Sequence, residues 1–206
     1  MLSLLMSDPL LFLLYMSALV VAITIHEFAH ARAADVLGDP TPRHQGRVSL
    51  NPARHLDPIG VLFLLIAGFG WGRPVQFDPF NLKNPRRDAA IISFAGPLSN
   101  IMLAILLALV LQAVKTPLLY PFIHLNVTLA IFNLIPVHPL DGFKIVGGFL
   151  SAERAHEWYQ LERYGFIFLL ALILPIHNGM SMISWLISPP IRFVMSVLVP
   201  QAAGIL

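Results

Sequence analysis

The sequence predicts an all-α polytopic membrane protein, with about five membrane helices and a small membrane-associated β or re-entrant element near residues 59–77. Three observations carry this expectation. Of 206 residues, 57% are apolar and 12% charged, whereas a soluble domain carries about 25% charge. Mean hydropathy is +0.75. Charge-free apolar runs long enough to cross a bilayer recur between short polar loops.

The length suits one membrane-embedded domain over 1–206, and no repeat or linker marks a second. The chain has no cysteine, which excludes disulfides and thiolate metal sites. A net charge of +2 gives no basis for a nucleic-acid partner. The expected partners are the lipid bilayer and other membrane proteins.

Residues 9–25 carry no charge and lead into His26-Glu27-Phe28-Ala29-His30. With no Lys or Arg before Arg32 the run lacks the basic start of a cleavable signal, so it reads as a retained membrane helix ending near Leu37-Gly38, with Asp39-Pro40 as the stop. A polar loop follows over 38–58. Ile59–Gly72 is apolar but short, and Gly68, Gly70 and Gly72 argue against a regular helix, so a strand pair or a re-entrant segment continuing to Phe77 is expected.

After Lys83–Asp88, residues 89–114 form a second charge-free span, in which Asn100 needs a polar partner. A third helix is expected from about Pro117 to Ile135, broken by Pro136 and Pro139. Asp141-Gly142 then opens a short amphipathic piece reaching about Phe149. Trp158 and Tyr159 resemble interface anchors within the charged stretch 151–163. Tyr164–Pro175 begins a fourth helix, and Met180–Val199 makes a fifth or a partly interfacial segment weakened by Pro189 and Pro190.

Lys and Arg orient these spans. Eight of the 13 lie between the first and second helices and three between the third and fourth. The positive-inside rule puts the N-terminus outside and both basic loops in the cytoplasm. His26–His30 and Asp141 then share one depth on the inner side.

Histidines four apart on a helix project from one face and can grip one metal ion together, and neutral imidazoles suit zinc. One Zn2+ per chain is expected, held by His26, His30 and Asp141. For Asp141 the competing role is an N-cap of the helix that follows. Glu27 is the candidate general base toward a water activated by the metal. Asn133 is a candidate donor to a developing oxyanion or a helix-to-helix bond. His55, paired with Asp57, and His138 could support the ligands, or could make structural hydrogen bonds. The chemistry expected is peptide hydrolysis. A membrane metal transporter or sensor using the same His/His/Asp site is the alternative, disfavoured by the near absence of polar groups on the second and fourth helices.

HEFAH in a first membrane helix, FAGPLSN (94–100) in a second and NLIPVHPLDGFKI (133–145) after a third resemble the site-2 proteases, which are intramembrane zinc metalloproteases. RVSLNPARHLDPIG (47–60), GWGRPVQFDP (70–79) and NPRRD (84–88) are similar to that family's short bacterial branch. The resemblance implies zinc on His26, His30 and Asp141, catalysis by Glu27, and Asn133 near the scissile carbonyl. It also implies a substrate with a transmembrane segment. The branch lacks peptide-binding and nucleotide-sensing modules, so accessory proteins could share in substrate selection. His138 departs from the family pattern, where a proline or small residue is expected.

Overall fold

A computed structural model of the chain describes residues 2–67, 70–177 and 180–200. Helix α1 spans Leu2–Ser7, α2 Pro9–Val36, α3 Thr41–His44, α4 Pro58–Ala67 and α5 Pro85–Val114. Helix α6 spans Tyr120–Asn133, α7 Asp141–Phe149, α8 Ala152–Gln160 and α9 Glu162–Ile173. Strands β1 (Pro175–His177) and β2 (Met180–Ser181) pair antiparallel ahead of α10, Met182–Leu198.

Two of these helices, α2 with 28 residues and α5 with 30, are long and apolar enough to cross a membrane. Asp8 caps α2 by accepting from Leu11 N at 3.0 Å, with Pro9 at the first helical position, where its missing N–H costs nothing. The helix stops where the sequence indicates. Leu37 closes it, Gly38 turns at φ +109, and the buried carboxylate of Asp39 accepts from Thr41 N and Oγ1, Asp78 N and Asn81 Nδ2. Helix α5 starts at Pro85, ahead of the charge-free run, because Asn84 N donates to Asp88 Oδ2 at 2.8 Å and ties the first turn. It ends on Lys115 in the left-handed conformation, φ 54.

Residues 59–77 depart from the expected strand pair. Pro58–Ala67 is a helix, whose N-terminal amides of Ile59 and Gly60 bond the Asp57 carboxylate. The run IGVLFLLIA has no period-two alternation to hold it as a strand, and a single antiparallel bridge, Leu56 to Gly72, is all the pairing among the described residues there. A Cβ at Gly60 would overlap the Trp71 backbone, so its lack of one lets the returning chain lie against the helix. Gly70 and Gly72 fall beyond the helix end, and Gly68 lies outside the described residues.

Helix α5 packs against α2, α6 and α7, and α2 also meets α6. The buried faces are rich in small residues: Ala18, Ala22, Ala31 and Ala34 on α2, Gly96, Ala104 and Ala108 on α5, Ala130 on α6. Small side chains let helix backbones approach closely where lipid offers no hydrophobic drive. Ile123, Val127, Ile191 and Met195 join Ala104 and Ala108 in a cluster that ties α10 to this core. Large apolar side chains face outward, among them Leu10, Leu13, Met102, Leu109, Phe166 and Phe193, as expected of a surface solvated by lipid.

Candidate metal centre

The α2–α5–α6 core sets the site. On α2, one turn separates His26 and His30, both buried, and their Nε2 atoms lie 3.0 Å apart. His26 Nδ1 donates to Asn100 Oδ1 at 2.6 Å, and His30 Nδ1 to the Ile92 carbonyl at 2.7 Å. Both acceptors belong to α5. With each Nδ1 proton used this way, each Nε2 presents a lone pair. A Cβ at Gly96 would overlap both imidazoles, so α5 lies flush against the pair only because that residue is glycine.

Asn100 is fully buried and held from two sides. Its Nδ2 donates to Ala22 O at 3.0 Å and to Asn126 Oδ1 at 2.7 Å, and Asn126 Nδ2 donates to Phe122 O. The relay fixes which end of the Asn100 amide meets His26. Sequence reasoning flagged Asn100 without naming a partner and missed Asn126. An amide inside an apolar span was the available signal, since such groups seldom go unpartnered.

The third group arrives from the far end of the chain. After α6 the backbone turns through Pro136 and the cis His138–Pro139 peptide into α7. Asp141 is the first residue of α7, and its Oδ2 lies 3.1 Å from His26 Nε2 and 3.2 Å from His30 Nε2. Leu140 holds the capping position without a side-chain bond, so Asp141 is not an N-cap. Asp141 Oδ2 is buried and receives no hydrogen bond.

Two imidazole nitrogens and a carboxylate oxygen thus converge within 3.2 Å of one another. This arrangement fits a cation. Around tetrahedral zinc, with bonds of about 2.0–2.2 Å, ligand atoms stand roughly 3.3–3.5 Å apart, close to the separations here. Among the described residues, His26, His30 and Asp141 are the one such group of metal-ligating side chains.

Glu27 lines the same cavity of about 250 Å3. Its Oε2 accepts from Val75 N at 3.0 Å and lies 3.5 Å from Arg47 Nη2. Arg47 is buried and also donates to the Arg73 carbonyl. Arg73 N in turn donates to His55 O at 2.7 Å. The polar loop therefore straps the extended segment after Gly72 across Glu27. Sequence reasoning gave Arg47 only a topological weight, because nothing local ties residue 47 to residue 27.

The other candidates scatter. Asn133 lines the cavity, and its Nδ2 donates to Leu129 O in its own helix at 3.0 Å, not to another helix. His55 is fully buried beneath the strap, where Nε2 donates to Ser49 O at 2.6 Å. It does not pair with Asp57, whose carboxylate is taken by the start of α4. His138 stands outside the cavity, with Nδ1 3.5 Å from Glu162 Oε1 and its ring edge-on to Phe143.

The model of Peptidase family M50 matches residues 112–175. A Bacillus subtilis protein named "Putative zinc metalloprotease YwhC" is 40% identical across 75% of this chain and 77% of its own length. "Putative zinc metalloprotease Rip2" of Mycobacterium tuberculosis is 29% identical across 85% of this chain and 73% of its length. A shorter match, 37% identical over 79 residues, links the chain to zinc metalloprotease MJ0392 of Methanocaldococcus jannaschii. No solved structure matches. With helices able to span a membrane, a His/His/Asp group suited to zinc and relatives of this kind, the chain belongs to peptidase family M50, the site-2 protease family of membrane-embedded zinc metalloproteases.

Proposed function

We propose that this zinc metalloprotease is an intramembrane endopeptidase that hydrolyses a peptide bond within or next to a transmembrane segment of another membrane protein. His26, His30 and Asp141 bind one zinc ion, and Glu27 is the general base. The observation that carries the reading is the buried convergence of two imidazole nitrogens and a carboxylate oxygen beside Glu27, deep within α2. His26 lies ten residues before Val36, the end of α2, so the site sits about 15 Å inside the helix terminus.

Zinc held by these residues would supply Lewis acidity toward water and a peptide carbonyl. The Glu27 carboxylate is the group placed to accept a proton from an attacking water and to return it to the leaving nitrogen. The Val75 amide and the Arg47 guanidinium hold its carboxylate in one orientation for both transfers. Asn133 has two amide protons, one spent on Leu129, leaving a second for the substrate's carbonyl oxygen. His55 supports this machinery through the strap, and His138 acts on α7 from outside the cavity. A helical substrate segment must unwind first, because its peptide bonds are shielded and hydrogen-bonded.

The described residues form one membrane-embedded domain, in which α6, α9 and α10 complete a five-helix core with α2 and α5. The Lys and Arg distribution supports an outside N-terminus in a bacterial cytoplasmic membrane, with the site opening to the cytoplasmic side. Substrate choice rests on this core and on accessory proteins. The metal-transporter reading has less support, since transport needs ligands along a path and the described residues hold a single metal-ligating group.

Glu27→Gln is the test. The variant should keep about one zinc per chain and its fold while losing cleavage of a reconstituted substrate. Cleavage by a zinc-loaded Gln variant would refute the mechanism.

A further inference from the structure

A groove of about 690 Å3 opens beside the catalytic cavity, and the two share Pro74, Val75, Phe77 and Lys144 as walls. A chain leaving the cavity along this side must therefore enter the groove. The walls are mostly apolar, yet two cations line it, Lys144 from α7 and Arg86 from the first turn of α5. Neither forms an ion pair among the described residues. The Lys144 ammonium lies 4.7 Å from the centre of the Phe77 ring. Such a contact holds the charge in place and leaves its hydrogen-bond donors free.

The register follows from the extended segment. Val75 donates to Glu27 and Phe77 carries the lysine, two residues on, which is about 7 Å in extended chain. Resting on the protease reading above, we propose that this groove is an anion subsite for the substrate. Lys144 receives a carboxylate side chain two or three residues from the scissile bond, on the cytoplasmic side, and Arg86 receives one farther out. A peptide carboxylate is favoured over a lipid phosphate because Lys144 also faces the catalytic cavity. A headgroup arriving from the membrane surface would not need to reach that wall.

The test uses full-length protein in phosphatidylcholine vesicles, with and without phosphatidylglycerol. Peptides differing only by Glu or Gln are compared at each position on the cytoplasmic side of a cleaved bond. Binding to the Glu27→Gln variant is read by fluorescence anisotropy, and cleavage is read with Glu27 in place. One position should favour Glu over Gln by about fivefold, the size of a partly exposed ion pair, in Kd and KM. Lys144→Gln should bring that ratio to one, and Lys144→Glu should invert it toward a Lys peptide. Arg86→Gln should act the same way at a more distant position, which keeps the test open if Lys144 variants fold poorly. The proposal is overturned if no position shows a charge preference. It is also overturned if the preference survives both substitutions, or if their effect is equal for Glu and Gln peptides and tracks phosphatidylglycerol, which would make the groove a lipid site. Absence of cleavage by the zinc-loaded parent would instead sink the protease reading, while anisotropy would still report on the groove.

Discussion

The side-chain oxygen of Asn100 lies 2.6 Å from Nδ1 of His26, and the nitrogen of the same amide donates to Ala22 O and Asn126 Oδ1. A single buried amide thus sets the tautomer of a candidate metal-binding imidazole and couples α2, α5 and α6.

Replacing Asn100 with Leu should therefore weaken zinc binding by about 10- to 100-fold, the usual cost of losing the hydrogen-bond partner of a metal-bound histidine. The Ala22 carbonyl and Asn126 also lose a partner, so stability should fall by about 1–3 kcal/mol. Competition against a zinc chelator measures the first effect and thermal unfolding in detergent the second. Unchanged zinc affinity would mean that Asn100 only glues helices.

Arg47 should behave differently. It touches Glu27 and the Arg73 carbonyl but none of His26, His30 and Asp141. Arg47→Gln should leave zinc content intact and lower kcat by as much as about 100-fold, the effect of a catalytic group misplaced by about 1 Å, with KM little changed. Arg47→Lys should recover part of that loss. A fall in zinc content equal to the fall in kcat would instead show general unfolding of the loop.

The strap over Glu27 should also loosen in acid. Burial above all, helped by the Arg47 cation, pulls the His55 pKa below its ordinary value, outweighing the Ser49 carbonyl and Glu27. Its Nδ1 is buried without a partner, so protonation would add an N–H with no acceptor. Because the folded pKa is depressed, the unfolded chain takes the proton first. The stabilising effect is complete above pH of about 6.5, and it is lost as pH falls from there through the folded value. Hydrogen exchange at the Arg73 amide, which bonds His55 O, should speed up on going below that pH beyond the intrinsic change. His55→Gln should remove the extra acceleration, and its persistence in that variant would assign the effect elsewhere.

The sequence revealed what is local or strongly patterned. The end of α2 was legible in Leu37-Gly38-Asp39-Pro40, and the His pair in its spacing of four, which needs only helical geometry. Asp141 was reachable because few acids lie in the apolar half of the chain and two prolines precede it. Less was legible around residues 59–77, where a short apolar run fits helix or strand until its packing decides. The close approach of Trp71 to Gly60 is a tertiary contact that the run itself does not announce. The Ile92 carbonyl, Asn126 and Arg47 reach the site through tertiary contacts between residues 20 to 62 positions apart, and single-sequence patterns do not record those.

We propose that positions 26, 30 and 141 hold one hydrolytic ion between them. X-ray absorption at the zinc edge of the purified protein, with metal content measured alongside, tests this most directly. About one zinc per chain is expected, with two imidazoles and only light-atom ligands besides, and that zinc should be lost in Asp141→Ala and in His30→Ala. Full zinc occupancy with an unchanged spectrum in both variants would place the ion elsewhere.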